Sequence, residues 1–296
     1  MFTGRYINLL TDFGFKRVFG TEPNKALLRD FLNTLLPPHH HIADLTFYNS
    51  EVLGNTTVDR KAIFDIYCQS DSGEKFIVEL QKAKQNYFKD RSIYYASFPI
   101  QEQAPKGEWN FQLKAVYTVG ILDFIFKDHE NDGTVLHQVE LKDQKGDVFY
   151  DKLTFFYIEL PKFTKSLDSL ETQFDKWLYL FRYLPDLQDL PPLLQEDVFE
   201  QLFEVAEIAQ LSRVEQESYQ RSLKYYRDLT NVVNTSRQEG FTQGLEEGFV
   251  RGEEAGFVRG QEAGVRAVAQ QMKASGMPLE TIAQITGLNL SDLESL

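Results

Sequence analysis

Residues 63–81, IFDIYCQSDSGEKFIVELQ, constrain the fold of this chain more than any other segment. Both ends of the segment alternate with the period of two that is typical of β-strands, and each carries one acid, Asp65 in the first and Glu79 in the second. The polar residues between them include Gly73, which suits the left-handed position of a three-residue hairpin loop. We therefore expect an antiparallel hairpin. Its first strand would place Ile63, Asp65 and Tyr67 on one face and Phe64, Ile66 and Cys68 on the other.

The length of the turn decides whether the two acids meet. A loop of residues 71–73 pairs Ser70 with Glu74. Continued along the strands, this register puts Asp65 directly opposite Glu79, with Cβ atoms about 5 Å apart. Two carboxylates at that distance can share Mg²⁺ or Mn²⁺, which prefer oxygen ligands. A loop of two or four residues would separate the acids, and an amphipathic hairpin with its polar residues in solvent also fits the pattern.

Around this hairpin the periodicity predicts an α/β fold with a mixed sheet flanked by helices. Apolar residues recur every three or four positions in residues 12–36, and Gly20 and Pro23 divide that stretch into two helices. A further helix is expected at residues 88–103. Strands are expected at residues 44–52, 61–69, 75–81, 115–126, 135–141 and 153–160.

The pattern becomes helical throughout after Pro161, which sets the expected domain organisation. A domain of residues 1–165 would hold the sheet, and residues 166–237 would form an α-helical extension. Residues 238–265 would be a glycine-repeat helix or a linker, and residues 266–296 a small helical element. We prefer a cap or an oligomerisation element to a DNA-reading helix-turn-helix, because the last short helix carries acids and no base-reading Arg or Lys.

Glycine recurs every four residues from Gly240 to Gly264, with Phe241, Phe249 and Phe257 eight residues apart. On a helix this spacing forms a slowly winding stripe that lets another helix approach closely. Each glycine lowers helix stability by about 1 kcal/mol relative to alanine, so the helix needs a partner. Both a self-associating stripe, which would make the protein a homo-oligomer, and a flexible linker fit the pattern.

Charge is distributed unevenly along the chain, whose net charge is −13. The first hundred residues carry 12 Lys or Arg and 11 Asp or Glu, whereas the remainder carries 19 and 33. A phosphate-facing surface is therefore possible in the first third. The single cysteine, Cys68, allows no internal disulfide, and no segment resembles a signal peptide or a membrane span, so we expect a cytoplasmic protein without a membrane partner.

Four segments in order resemble the Rpn family of recombination-promoting nucleases, long labelled transposases, within the PD-(D/E)XK nuclease superfamily. They are TDFGFKRVFG at residues 11–20, VELQ at residues 78–81, FKDRSIYYAS at residues 88–97, and the glycine repeat with the following SGMPLETIAQITGLNLSDLESL. The resemblance covers nearly the whole chain. It implies a restriction-endonuclease-like mixed sheet and Mg²⁺-dependent hydrolysis of DNA, in recombination, at mobile elements or in defence.

The resemblance also implies roles for individual residues. Asp65 and Glu79 would bind the metal, with the Leu80 carbonyl as a further ligand, and Gln81 would replace the lysine that usually helps to deprotonate water. Either Asp12 or Glu51 would be a third acid, although Thr11-Asp12 is also a typical helix cap. Residues expected to contact DNA are Lys82, Lys84, Lys89, Arg91 and Tyr95.

Two other readings of the sequence compete with the nuclease. Because Gln81 is neutral and the chain is acidic, the fold could bind DNA or protein without cutting. Alternatively, the chain could be an oligomeric interaction protein that works through its helical tail.

Overall fold

The computed structural model describes residues 4–37, 40–52, 62–104, 107 and 109–296, and for residues 51, 52 and 62 it describes the backbone alone. The chain divides into two compact units, Met1–Thr230 and Asn231–Leu296. Within the described ranges, no helix has both the length and the apolar character needed to cross a membrane.

A six-stranded mixed sheet forms the centre of the first unit. The strands in chain order are β1 (Leu45–Phe47), β2 (Glu51–Val52), β3 (Ala62–Ile63), β4 (Ile66–Ser70), β5 (Lys75–Gln81), β6 (Val116–Leu122), β7 (Leu136–Lys142) and β8 (Val148–Glu159). The sheet has the order β1-β4-β5-β6-β8-β7, and β2 pairs with β3 in a separate ribbon. Strands β5, β6 and β8 run parallel, while β4 and β7 are antiparallel to their neighbours. The expected mixed sheet is confirmed, although the stretch predicted as one strand at residues 44–52 contains two short strands.

Helices surround the sheet and continue beyond it. They are α1 (Asp12–Phe19), α2 (Lys25–Asn33), α3 (Phe88–Glu102), α4 (Gln173–Tyr183), α5 (Asp197–Ala206), α6 (Arg213–Ala274), α7 (Leu279–Thr286) and α8 (Leu290–Ser295). The predicted division of residues 12–36 into two helices is confirmed, and Gly20 ends the first of them.

One aromatic core joins the first two helices to later ones. Phe19 of α1 lies 5.5 Å from Trp177 and 5.4 Å from Phe181, both in α4, measured between ring centroids. Phe199 of α5 contacts Trp177 in the same cluster. Burying such rings contributes the largest share of apolar stabilisation in a core. Helices α4 and α5 therefore belong to the core that also covers one face of the sheet.

Helix α3 covers part of the opposite face of the sheet. There Phe64, Tyr67 and Ile77 form a buried cluster against Tyr95 and Phe98 of α3. The predicted placement of Phe64 on the other face from Tyr67 is therefore wrong. The strand is interrupted between Ile63 and Ile66, and this break in the pleat turns the Phe64 ring over.

The second unit contains the glycine repeat and the last two helices. Residues 240–264 are helical throughout as part of α6, and their glycines have no other atoms within 4 Å of an added Cβ. Phe241, Phe249 and Phe257 are about 70% exposed there. Ala269, Ile282 and Leu293 form a small apolar core between the end of α6, α7 and α8.

Candidate active site

The hairpin of β4 and β5 has the register that brings its two acids together. Its strands pair Ile66 with Val78 and Gln69 with Lys75, as a three-residue loop requires. The Gly73 backbone is left-handed, with φ +91°, and the Gly73 N–H donates to the Ser70 carbonyl at 3.0 Å. The predicted loop and register are confirmed, so Asp65 faces Glu79 one step beyond the last ladder pair.

Each of the two carboxylates also bonds to the other's strand. The Leu80 N–H donates to Asp65 Oδ2 at 2.8 Å, and the Asp65 N–H donates to Glu79 Oε1 at 3.2 Å. These main-chain donors replace ladder hydrogen bonds where β4 is interrupted. Each acid is thus held by a backbone N–H of the facing strand, and each carboxylate keeps lone pairs for a further partner.

Burial and mutual repulsion favour the neutral forms of both acids. Burial raises the pKa of Glu79, and the negative charge of Asp65 raises it further. Burial also raises the pKa of Asp65, against the opposing effect of the Leu80 N–H. Two like charges held this close are stable together only when a positive charge offsets them. The pair therefore has the character of a cation site.

The backbone of Leu80 borders the same position. Strand β4 pairs with β5 only as far as Val78, so the side of β5 that faces β4 is open beyond that residue. The Leu80 N–H points into this opening, since it donates to Asp65. The N–H and C=O of one strand residue lie on the same side, so the Leu80 carbonyl faces the opening as well.

Gln81 is buried and held by two hydrogen bonds. Its Nε2 donates to the Ala83 carbonyl at 2.9 Å, and its Oε1 accepts from Arg91 Nη2 at 2.6 Å. Arg91 also donates to Gln85 Oε1 at 2.6 Å, and its guanidinium lies over the Phe88 ring, 5.1 Å from the centroid. The Arg91 charge reaches Glu79 and opposes the rise in the pKa of that acid. The Arg91 guanidinium is therefore a fixed positive charge at the end of the neutral Gln81 side chain.

Helix α1 contributes two further charges. Thr11 is the helix cap, and its Oγ1 accepts from the Gly14 N–H at 3.0 Å. Asp12 follows in the first turn and forms an ion pair with Lys16 at 2.9 Å. The charge of Asp12 raises the pKa of Asp65, and the charge of Lys16 opposes the rise in the pKa of both Asp65 and Glu79. The cap and the candidate third acid are thus adjacent residues with separate roles.

The residues expected to contact DNA differ in their burial and in their contacts. Lys82 follows β5 and is half-buried, with its Nζ 5.5 Å from the centroid of the Tyr225 ring. Lys84 is exposed in the next loop. Lys89 Nζ forms an ion pair with Asp128 at 2.6 Å. The Tyr95 ring packs against Phe64, and burial raises the pKa of its hydroxyl.

Glu51 was predicted as a candidate acid, whereas Lys16 and Asp123 were not predicted. Glu51 lies in β2, paired with Ile63, and its side chain falls outside the described residues. Lys16 was not predicted as a site residue, although a lysine four residues after Asp12 on a helix is the spacing typical of an ion pair. Asp123 was missed too. Its N–H donates to the Gln81 carbonyl at 2.9 Å, and its carboxylate accepts from the Tyr226 hydroxyl at 2.8 Å.

A second group of metal-ligand atoms occurs among the described residues. One ligand atom each from His129, His137 and Glu159 lie within 4.8 Å of one another. The sequence gives no signal for this group, because the three residues come from separate segments with no motif spacing.

Comparison with known proteins supports the assignment made from the motifs. The family model described as "PD-(D/E)XK nuclease family transposase" matches residues 9–236, which include the hairpin, α3 and the start of α6. Neither the curated proteins nor the solved structures contain a match to the chain.

Proposed function

The chain belongs to the PD-(D/E)XK nuclease family of transposases, and from this membership we propose that it is a divalent-metal-dependent DNA endonuclease centred on Asp65 and Glu79. The observation that carries the proposal is the register of the hairpin, which sets the half-buried Asp65 opposite the buried Glu79. Nuclease activity is the chemistry that the family description names. The identity of the metal, the DNA substrate and the roles of individual residues are part of our proposal.

The side chains fit Mg²⁺ or Mn²⁺. Both are hard cations that bind carboxylate and carbonyl oxygens, and the opening beside β5 offers Asp65, Glu79 and the Leu80 carbonyl. Burial raises the pKa of both acids despite the nearby positive charges, so a bound divalent cation would favour their ionised forms. A bound divalent cation would supply Lewis-acid chemistry there, lowering the pKa of water and offsetting charge on the phosphate.

The remaining residues would position the DNA and the proton-transfer groups. Lys16 and Lys82 carry positive charge close to the acids and would hold phosphate oxygens. Arg91 would take over part of the role of the usual lysine, since it is hydrogen-bonded to the Gln81 side chain and its charge reaches Glu79. Gln81 itself would orient water through its amide. Asp12 would be the third acid, within electrostatic reach of Asp65. Lys84 and Tyr95 would contact the DNA beside the acids.

Cleavage of supercoiled plasmid tests this proposal. With Mg²⁺ or Mn²⁺ the wild-type protein is expected to nick or linearise the plasmid, and a chelator is expected to stop the reaction. Asp65→Asn and Glu79→Gln should each lower the rate by at least about 10²-fold, because each removes a charge from the metal site. The matched control is Asp71→Asn in the same hairpin loop, which should keep wild-type activity. Cleavage by both site variants at the wild-type rate would refute the proposal.

DNA binding without cleavage is the alternative outcome that the assay distinguishes. A wild-type protein that binds duplex DNA at low salt, but cuts it with none of the metals, would be an inactive nuclease fold. The neutral side chain of Gln81 in place of the usual lysine is the observation that favours this second function.

Self-association through the glycine repeat is the proposed mode of assembly. Seven glycines in one helix stretch lower its stability by about 1 kcal/mol each relative to alanine, while Phe241, Phe249 and Phe257 remain exposed. A second copy of the helix would bury those rings and would bring two active sites to the two DNA strands. Light scattering should show an oligomer for the full chain and a smaller species for Phe241→Ser/Phe249→Ser/Phe257→Ser. An unchanged mass would contradict this assembly.

The cellular setting follows from the same premise. The family's transposase description supports action on DNA in recombination, at mobile elements or in defence against foreign DNA. The single cysteine, Cys68, is buried and unpaired, which supports a cytoplasmic location.

A further inference from the structure

The first turns of α6 lie along the edge of the candidate active site. Lys82, which follows β5, has its Nζ 5.5 Å from the centroid of the Tyr225 ring of this helix. Burial lowers the pKa of Lys82, and the charges of Asp12 and Asp65 oppose this effect. The acids and the start of α6 therefore share Lys82 as a common neighbour.

A groove between α1 and α6 opens beside the same acids. Its volume is about 420 Å³, and Asp12 and Lys16 of α1 line it together with Ser218 and Ser222 of α6. We infer that this groove binds the phosphodiester backbone of the DNA strand next to the cleaved bond. The inference rests on the proposed nuclease function, and it adds to that function a binding surface on α6.

Helix α6 is fixed against the first unit by the side that adjoins the groove. The Tyr219 hydroxyl accepts from the Asn8 N–H at 2.9 Å, and the Tyr226 hydroxyl donates to Asp123 at 2.8 Å. The two tyrosines are seven residues apart and so lie on one face of the helix, two turns from each other. The residues beside that face are therefore held on a rigid support, which lowers the entropic cost of binding a ligand.

The two serines of the groove keep hydrogen atoms to donate. Ser222 Oγ accepts from the Phe13 N–H at 3.1 Å, and Ser218 Oγ accepts from Arg221 Nη2 at 3.0 Å. Within the part of the chain that the structure describes, neither hydroxyl is itself a donor. A hydroxyl can donate one hydrogen bond while it accepts others. Both serines can therefore donate to phosphate oxygens, as serine side chains commonly do in complexes with DNA.

An arginine beside the groove has no acid as a partner. The two cations that α1 places in the groove are each paired with an acid, Asp12 or Glu215. Arg221 is exposed, and among the described residues it bonds to Ser218 and to no carboxylate. A guanidinium that also faces a serine hydroxyl suits a phosphate, which accepts hydrogen bonds from both. Arg221 is therefore the side chain of α6 that we expect to neutralise a phosphate charge.

Tyr225 extends this surface along the helix. It is seven residues after Ser218, about 10 Å farther along the axis, and its side chain is 61% exposed. Exposed aromatic rings beside cations pack against nucleotides whatever their sequence. All the contacts proposed on α6 are thus of a kind that does not read bases, and we expect DNA binding without sequence preference.

DNA binding by the full chain tests the inference. The background is Asp65→Asn/Glu79→Gln, so that the probe, a short fluorescein-labelled duplex, is not cut. Anisotropy is measured over a range of salt concentrations. Arg221→Gln should weaken binding by about tenfold and reduce the slope of log K against log salt by about 1, because one phosphate contact is lost. The matched control is Arg227→Gln, which removes the same charge from α6 but borders a different cavity, beside Tyr6.

A comparison of the variants decides the outcome. The Arg227→Gln protein should bind as the background does, and Ser218→Ala should weaken binding without changing the salt slope, because the lost donor is neutral. Equal losses in the two arginine variants, or no loss in either, would overturn the inference, with circular dichroism confirming that both are folded. If the wild-type protein still cleaves plasmid in that case, the nuclease proposal stands. A wild-type protein that neither binds nor cleaves DNA would overturn both.

Discussion

Replacing Glu79 with glutamine will stabilise the protein against unfolding when divalent cations are removed by a chelator. The glutamine carbonyl can still accept the Asp65 N–H bond, which is 3.2 Å long, and the side-chain volume is unchanged. What disappears is a buried negative charge that faces Asp65. The substitution therefore removes a charge that metal binding needs, while it relieves a repulsion that destabilises the fold without metal.

The repulsion between the two acids sets the size of the effect. Two unit charges about 5 Å apart interact with about 3 kcal/mol at an effective dielectric constant of 20. Partial protonation of the pair and the nearby Lys16 and Arg91 reduce this figure, so we expect the free energy of unfolding to increase by about 1–3 kcal/mol. For a unit of this size that corresponds to a rise in melting temperature of about 2–12 °C.

The gain in stability will depend on pH in a defined direction. Because folding raises the pKa of Glu79, its ionisation opposes the folded state. The difference between variant and wild type will be absent below the pKa of an unfolded glutamate, about 4.3. It will grow as the pH rises through that value and will be complete above the raised pKa of the folded protein.

Urea unfolding and thermal scans between pH 5 and pH 8, with a chelator present, measure this difference. The matched control is Glu74→Gln in the same hairpin, where the side chain faces the Ser70 hydroxyl and a glutamine would keep the acceptor of its hydrogen bond. The control should change stability by less than about 0.5 kcal/mol. A Glu79→Gln protein that is no more stable than wild type at pH 8, or whose advantage does not grow with pH, refutes the reasoning.

Three further predictions concern the hairpin and its surroundings. Gly73→Ala should lower stability by about 1–2 kcal/mol in chemical unfolding, because φ is +91° there, whereas Gly133→Ala, which meets no neighbouring atom, should not. Gln81→Lys should reduce the melting temperature without increasing plasmid cleavage, because the new ammonium would face the Arg91 guanidinium; faster cleavage would contradict this. Lys16→Met should move the acid limb of the pH–rate profile of cleavage to higher pH, because the charge of Lys16 opposes the rise in the pKa of Asp65 and Glu79; an unmoved limb would exclude that role.

The placement of Asp65 opposite Glu79 could be predicted because it depends only on the hairpin loop and the two strands next to it. Turn chemistry at Gly73 selects the loop length, and a period of two then carries the register to the acids. The same reasoning failed at Phe64, because an interruption of the strand breaks the period, and nothing in the residue types marks the interruption. Alternation predicts a face only where the ladder is continuous.

Contacts between distant segments were beyond sequence reasoning for a different physical reason. The approach of Lys16 to the acids depends on how α1 packs against the sheet, and the Arg91–Gln81 bond depends on how α3 packs. The group of His129, His137 and Glu159 forms only after β6, β7 and β8 have assembled. Periodicity describes single elements, whereas these positions are set by tertiary packing.

The central claim is that Asp65 and Glu79 together hold a divalent cation, and equilibrium binding of Mn²⁺ tests it most directly. Free Mn²⁺ is measured by electron paramagnetic resonance in a His129→Gln/His137→Gln background, so that the second group of metal-ligand atoms does not contribute. The account predicts that this protein binds Mn²⁺ and that adding either Asp65→Asn or Glu79→Gln weakens the affinity by at least about tenfold. Binding that neither substitution alters would contradict it.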